Sequence, residues 1–291
     1  MDIVLIFNGL GNQMSQYAFY LAKKQLGHKC MLLVDETIVS QHNGFELNRI
    51  FQVGYHHSLS KKMLWKAFQK IQFSTRLGNI LRGLGFKIIR EEENYNYNPN
   101  HLNPGKGLLN YYKGGWHCEN YFYSLRNDIR EIFKFDENLM NEKTLKMRDM
   151  INKSAVSVSL HVRRGDYLKK PWGIYDFSQV ATESYYERAI AYVKENNQGP
   201  ITFFVFSDDV LWCKQNFKGH QFVYVDFNKG EDSWQDMYLM TCCIWHINAN
   251  SSFSWWGAWL SEYPENTIVP NRFLRKIDTP DIYPDIWKKI K

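Results

Sequence analysis

The sequence predicts an α/β protein with two parallel-sheet domains, and three features predict it. The chain opens with an apolar run, a glycine turn, a helical pattern and a second apolar run. A polar stretch, residues 143–153, interrupts the middle. A fresh series of apolar runs and helical patterns then restarts at residue 155. Strand, turn, helix, strand is the opening of a parallel α/β unit. Two such openings predict two Rossmann-like domains facing a cleft. Length agrees, since 291 residues exceed one ordinary core and suit two modest domains. The polar stretch sets the boundary, giving domains 1–150 and 151–291.

The elements follow in order. Residues 3–7 are β-formers that meet a turn at 8–13, and residues 14–26 have a helical pattern stopped by Gly27. Residues 30–35 form a second buried strand. From 40 to 120 the pattern is weak. There 61–71 reads as an amphipathic helix, 86–91 as a short strand, 94–100 as a turn-rich loop and 119–133 as a helix. In the second half, strands are expected at 155–162, 201–206, 222–225, 243–249 and 267–269. Helices are expected at 184–195, 233–241 and from 254 to 260. There is no internal repeat and no low-complexity tract.

Composition narrows the class. Hydrophobic residues make up 44% and charged residues 23%, which fits a globular chain and excludes disorder. The aromatic share is 16%. Those rings fill the core or line a sugar site, because the C–H face of a pyranose packs on a ring. A net charge of +6 suits a polyanionic ligand such as a nucleotide diphosphate. It is too small and too evenly spread to argue for nucleic acid. Lys288, Lys289 and Lys291 read as a solvated end favouring the negative pole of a last helix. The five cysteines, Cys30, Cys118, Cys213, Cys242 and Cys243, are odd in number and irregularly spaced, so free thiols are expected rather than zinc or disulfides. The start has no basic n-region, and no run of eighteen apolar residues occurs. The expected location is the cytoplasm, with peripheral association with a membrane surface still compatible.

Four segments carry chemistry. His161-Val162-Arg163-Arg164-Gly165-Asp166-Tyr167 follows a strand, where ligands of open α/β sheets bind. Two arginines there predict a bidentate clamp on phosphate oxygens; the bland alternative is an ion pair between an arginine and Asp166. Phe206-Ser207-Asp208-Asp209 ends another strand. Its carboxylates can accept from guanine or ribose, cap a short helix, or hold a metal. Against the metal, adjacent acids diverge and the arginines already neutralise phosphate, so none is expected. Asn250, Ser251 and Ser252 precede a helix whose N-terminal N–H groups favour anions, with Ser254 a further contact and Trp255, Trp256 and Trp259 packing it down. The fourth is Phe7-Asn8-Gly9-Leu10-Gly11-Asn12-Gln13-Met14. With Asp35 it imitates a dinucleotide fingerprint, which gives an NAD(P)-binding oxidoreductase as the alternative function. Met14 stands where the third glycine belongs, which weakens that reading. The turn could instead bring backbone N–H groups and the amides of Asn12 and Gln13 to phosphates or acceptor. A catalytically silent sugar-binding module using the aromatics is a third possibility.

Taken together these segments resemble the α-1,2-fucosyltransferases of glycosyltransferase family 11, of bacterial type. The matching motifs are F-N-G-L-G-N-Q-M-S-Q-Y-A-F at 7–19, H-V-R-R-G-D-Y at 161–167, F-S-D-D at 206–209 and N-S-S-F-S-W-W-G-A-W-L at 250–260. They lie in the family's order and span nearly the whole chain. The H-x-R-R-x-D element is shared with α-1,6- and protein O-fucosyltransferases. The resemblance implies a GT-B-like fold, GDP-β-L-fucose as donor, a galactose-containing acceptor, inversion at the anomeric carbon and no essential metal. It implies an acceptor-side domain at 1–150 and a GDP-fucose-binding domain at 151–291. Arg163 would grip the diphosphate with Arg164 as lesser partner, His161 the nucleotide, Asp208 or Asp209 the guanine, and Ser251 and Ser252 the phosphates. Asn250, Gly11 and Asn12 complete the expected donor contacts. For the general base, His161, Asp166 and residues 91–93 stay open. The membrane anchor of animal members is not expected.

Overall fold

In the computed structural model, which describes residues 1–55 and 59–291, two α/β units divide the chain at Met1–Lys134 and Phe135–Lys291. In the first, β1 (Asp2–Ile6) leads to α1 (Leu10–Gln25) and β2 (Cys30–Val34). Short helices α2 (Glu36–Val39) and α3 (Glu46–Phe51) follow, then the pair α4 (Leu59–Gln72) and α5 (Arg76–Gly83). Strands β3 (Phe86–Arg90) and β4 (Leu109–Lys113) and helix α6 (Arg126–Ile132) complete it. The sheet order is β2-β1-β4-β3, all parallel. β1 is buried along its whole length, as a central parallel strand must be. One sheet face packs Ile3, Leu5, Leu33 and Tyr111 against Phe68 and Ile71 of α4. A buried ion pair pins α1 to the start of β1: Lys23 Nζ lies 3.0 Å from Asp2 and donates to the carbonyls of His101 and Asn103.

The second unit runs α7 (Glu142–Lys153), β5 (Val156–Val162), α8 (Gly165–Lys169), α9 (Pro171–Asp176) and α10 (Glu183–Glu195). It continues with β6 (Ile201–Ser207), α11 (Val210–Asn216), β7 (Phe222–Val225) and α12 (Trp234–Thr241). It ends with β8 (Trp245–Ile247), α13 (Ser252–Leu260), β9 (Thr267–Pro270) and β10 (Lys288–Ile290). The sheet is parallel throughout, in the order β10-β9-β8-β5-β6-β7. Chain order therefore reverses between β5 and β8. That reversal makes a crevice at the carboxyl ends of these two strands, the place where doubly wound sheets bind ligands. Val158, Leu160, Phe203, Val205 and Ile247 form the core with Tyr185, Tyr186 and Val193 of α10.

Several expectations shift. Division falls at Lys134/Phe135 rather than at 150/151, because the intervening residues are anchored in the second unit. Phe135 stacks on Trp234, and Asn141, which caps α7, bonds Gln235 and Asn228. The helix expected at 119–133 is two 3₁₀ turns followed by α6. The lysine-rich end is not helical: Lys288–Ile290 is an edge strand parallel to β9. All five cysteines are free, as expected. Trp255, Trp256 and Trp259 are buried, also as expected. Among the described residues no helix is long and apolar enough to cross a membrane.

Candidate functional site

Three neighbouring strand ends in the second unit bring most of the expected residues together. β5 delivers His161, Arg163 and Arg164, β6 delivers Asp208 and Asp209, and β8 leads through Asn250 to α13. The arginines are held by carboxylates. Arg163 donates through Nε and Nη2 to the two oxygens of Asp166, at 2.8 and 2.6 Å. Its Nε also lies 3.2 Å from Asp208 Oδ2. The bland alternative, an ion pair between an arginine and Asp166, is therefore present, while Nη1 has no partner among the described residues. Arg164 sets its guanidinium 4.0 Å over the Trp212 ring, 3.4 Å from Asp209. Its backbone N–H donates to Asp208 Oδ1 at 2.9 Å. Gly165 permits this closeness: a Cβ there would lie 2.8 Å from Asp208 Oδ2.

Asp208 and Asp209 do different things. Asp208 ties the β5 loop to the end of β6. Asp209 caps α11, accepting from Trp212 N at 3.2 Å, while its other oxygen faces Arg164. The capping reading of this segment therefore holds for Asp209. Among the described residues no group of three His, Cys, Asp or Glu could hold a metal ion.

His161 is 5% exposed, near the Phe253 ring. Burial, with Arg163 adding to it, lowers its pKa to about 3. The imidazole is therefore neutral, and its buried Nδ1 has no partner among the described residues. A group with that pKa is a weak proton acceptor at neutral pH. Asp166 is also a poor base, since Arg163 holds both its oxygens.

The β8 loop is mostly scaffold. Asn250 donates both amide hydrogens inward, to the carbonyls of Phe177 and Phe273, and is 1% exposed. Its expected ligand contact gives way to this anchoring role. Its own carbonyl accepts from Tyr167 at 2.9 Å, which links the β5 and β8 loops. Ser251 is buried and caps α13 through its hydroxyl, which accepts from Phe253 N. Ser252 and Phe253 are partly exposed at the first turn of that helix. Ser254 is buried, its hydroxyl donating to the carbonyls of Ala249 and Ser251, so it is not a surface contact.

Gly11 and Asn12 lie in the first unit. The turn after β1 does not use its glycines as a dinucleotide loop does. Asn8 takes the left-handed conformation at φ 64, and Gly9 is the N-cap. Leu10 already begins α1, so Gly11 is buried in its first turn. Gln13 is fully buried, donating to the carbonyls of Asn8 and Gly44 and accepting from Glu46 N. Its amide is structural, not directed at a ligand. Met14 is buried where a third glycine would stand, and Asp35 caps α2 through Ile38 N. These placements remove the oxidoreductase alternative's ribose carboxylate and its tight helix–strand contact.

The three acids at 91–93 separate. Glu92 accepts from Asn98 and Glu93 is exposed. Glu91, at the end of β3, accepts from Gly115 N at 2.6 Å through Oε2, while Oε1 is buried without a partner among the described residues. Burial pushes its carboxyl up to about 7, partly offset by the N–H groups of Trp116, Gly115 and His117. Sequence reasoning did not single out Trp212, and it named Tyr167 without giving it a role. Trp212 had a signal: it stands three residues after a helix-capping acid, where a side chain returns to the cap.

Residues 2–276 match the family described as Glycosyl transferase family 11. An Escherichia coli alpha-1,2-colitosyltransferase is 34% identical over 302 residues, covering 100% of both chains. The O-antigen biosynthesis glycosyltransferase WbnK of Escherichia coli is 30% identical, covering 96% of this chain and 97% of that protein. Galactoside alpha-(1,2)-fucosyltransferase 1 of Saimiri boliviensis boliviensis is 28% identical over 183 residues, 57% of this chain and 48% of that one. Among solved structures, fucosyltransferase NodZ from Bradyrhizobium superposes with a TM-score of 0.52 at 15% identity, covering 89% of this chain and 91% of that chain. That likeness places the fold in the GT-B class.

Proposed function

Because the chain belongs to glycosyltransferase family 11, we propose that it is an inverting α-1,2-fucosyltransferase. It moves L-fucose from GDP-β-L-fucose to the 2-hydroxyl of a β-galactoside in a bacterial glycan such as an O-antigen. One observation carries the reading: a two-arginine cluster beside the sheet's reversal point, in which Arg163 is held by Asp166 yet keeps Nη1 to offer.

Inversion needs a single displacement. The acceptor oxygen attacks the anomeric carbon from the face opposite the diphosphate. The C–O bond to phosphate breaks, and its electron pair leaves with GDP. Charge grows on the leaving oxygens, and Arg163 meets it with N–H groups already oriented by Asp166 and Asp208. Arg164, fixed over Trp212, is the second cation. His161 lines the nucleotide site as a neutral ring, and Ser252 at the start of α13 is the remaining phosphate contact. Asp208 and Asp209 hold the arginines, so direct guanine contact is the lesser part of their role. No metal takes part in this scheme. The second unit holds the donor, and the first serves the acceptor. The acceptor oxygen gives up its proton to a general base, for which Glu91, pushed up to about 7 by burial, stays a candidate.

Colitose transfer is the second reading, favoured by the full-length similarity to a colitosyltransferase. Colitose is L-fucose without its 3-hydroxyl. A site that hydrogen-bonds that hydroxyl rejects the deoxy sugar by about 10⁴-fold or more. The test is incubation with GDP-fucose and GDP-colitose in turn, against a panel of galactosides, with mass and linkage analysis of the product. An α-1,2-linked fucoside supports the proposal. Colitoside alone moves the donor assignment, and no product from either sugar nucleotide overturns the reading.

A further inference from the structure

Helices α4 and α5 carry charge and apolar surface that the fold does not use. Residues 59–90 contain eight of the chain's 36 lysines and arginines and none of its 30 acids. No acid occurs anywhere from residue 47 to residue 90. Basic charge is therefore concentrated, contrary to the even spread expected from the totals, and the rest of the chain is slightly acidic.

The two helices have an inner and an outer face. Phe68 and Ile71 are buried inward, with Leu64, Trp65 and Leu81 packed against the same core. Outward, Met63 is 72% exposed, Phe73 64%, Leu77 51%, Ile80 53% and Leu84 60%. Leu77 and Ile80 of α5 and Leu84, its C-cap, are spaced three and four apart, so they form one stripe along the helix and its end. Lys62, Lys66, Lys70, Arg76 and Arg82 are exposed between these apolar residues. The helices are locked together where they meet. A Cβ on Gly78 would stand 2.3 Å from the Lys70 carbonyl, and Arg82 donates to the Ile71 carbonyl. The outer face is thus a fixed surface of two helices.

We propose that this face docks on an anionic phospholipid bilayer, with its aliphatic side chains in the headgroup boundary and its lysines and arginines on the phosphates. Charge complementarity selects that partner. Apolar stripes flanked by basic residues, with no acid to repel the lipid, are what an interfacial helix needs. Long basic side chains lay their stems on the apolar layer and keep their charges at the phosphates. A nucleic acid would match the charge but gain nothing from exposed leucine and isoleucine. A second copy docking face to face would oppose like charges. The inference is independent of the donor and acceptor proposed above.

The test is flotation of the full chain with vesicles of phosphatidylethanolamine and phosphatidylglycerol, beside vesicles of phosphatidylcholine alone. Binding is expected to the anionic vesicles and to weaken with added salt. Leu77→Ser/Ile80→Ser/Leu84→Ser and Lys66→Gln/Lys70→Gln/Arg76→Gln should each lower the vesicle-bound partition by about tenfold or more. Both variants alter exposed side chains, and unchanged melting curves certify their fold. Failure of the parent chain to float, equal binding to neutral vesicles, or parent-like flotation of either variant overturns the proposal. So does concentration-dependent self-association that the leucine variant abolishes while the parent ignores vesicles.

Discussion

Replacing Glu91 with Gln tests the most unusual carboxyl in the first unit. Burial holds it at about 7 against an ordinary 4.5, with one oxygen on the Gly115 N–H and the other unpartnered among the described residues. Between those two values the folded chain keeps a proton that the unfolded chain has released. Stability from this group is therefore full below the ordinary value and is lost as pH rises through about 7. The gap is worth about 3 kcal/mol at roughly 1.4 kcal/mol per pH unit. Gln has no proton to release and still offers an oxygen to Gly115. Relative to the parent, Glu91→Gln should thus gain about 3 kcal/mol between pH 4 and pH 8. Urea unfolding of both chains across that range measures it. Asp236, a second buried carboxyl pushed to about 7, titrates in both chains and cancels in the difference. Turnover should move the opposite way, falling about 10²- to 10⁴-fold in the variant if Glu91 is the base. Parallel pH–stability profiles would show an ordinary carboxylate and remove the reason for choosing it.

Three further outcomes are expected. Arg163→Ala should lower transfer by about 10²-fold or more while the melting curve of the second unit is retained, since its role lies with the leaving group; near-normal turnover would refute the clamp. Asp2→Ala leaves the Lys23 ammonium buried without its carboxylate and should destabilise the first unit by about 3–5 kcal/mol in urea unfolding. GDP should raise the melting temperature where UDP and NAD do not, and EDTA should leave transfer unchanged; a rate restored only by a divalent ion would return Asp208 and Asp209 to metal binding.

Much of the second unit was legible because strands such as β6 and β7 are nearly continuous runs of β-formers bounded by polar residues. Ile201–Ser207 followed by two aspartates announces both a strand and the polar end that meets the two arginines. The first unit was harder for physical reasons. β4 is Leu-Asn-Tyr-Tyr-Lys, and its Asn110 breaks the apolar run. That side chain is buried only because it donates to Asp2, far away in sequence, which no local pattern displays. The start of α1 was misread because Gly9 and Gly11 look like turn residues, whereas Asn8 makes the turn. β10 carries lysines because it is an exposed edge, the one place where a strand tolerates them without a buried face. At the site, residue types were readable but pairings were not. That Arg164 would meet Asp209 across the sheet follows from β5 lying beside β6, a fact of topology.

Those pairings change what the cluster can be. Two guanidinium groups face three carboxylates, Asp166, Asp208 and Asp209, so the site bears no excess of positive charge. Under the proposed function, attraction of a diphosphate cannot come from bulk charge there. It must come from directed N–H groups, which a planar guanidinium supplies and an ammonium does not. Arg163 can hold Asp166 through Nε and Nη2 and still present Nη1, because the fork is rigid. Lysine at this position keeps the charge and loses that simultaneity: one ammonium must choose between Asp166 and phosphate. Arg163→Lys should therefore resemble Arg163→Ala, with kcat reduced by about 10²-fold, rather than resembling the parent. Measurement of kcat and KM with GDP-fucose decides it, and a lysine variant within about threefold of the parent would show that charge alone suffices.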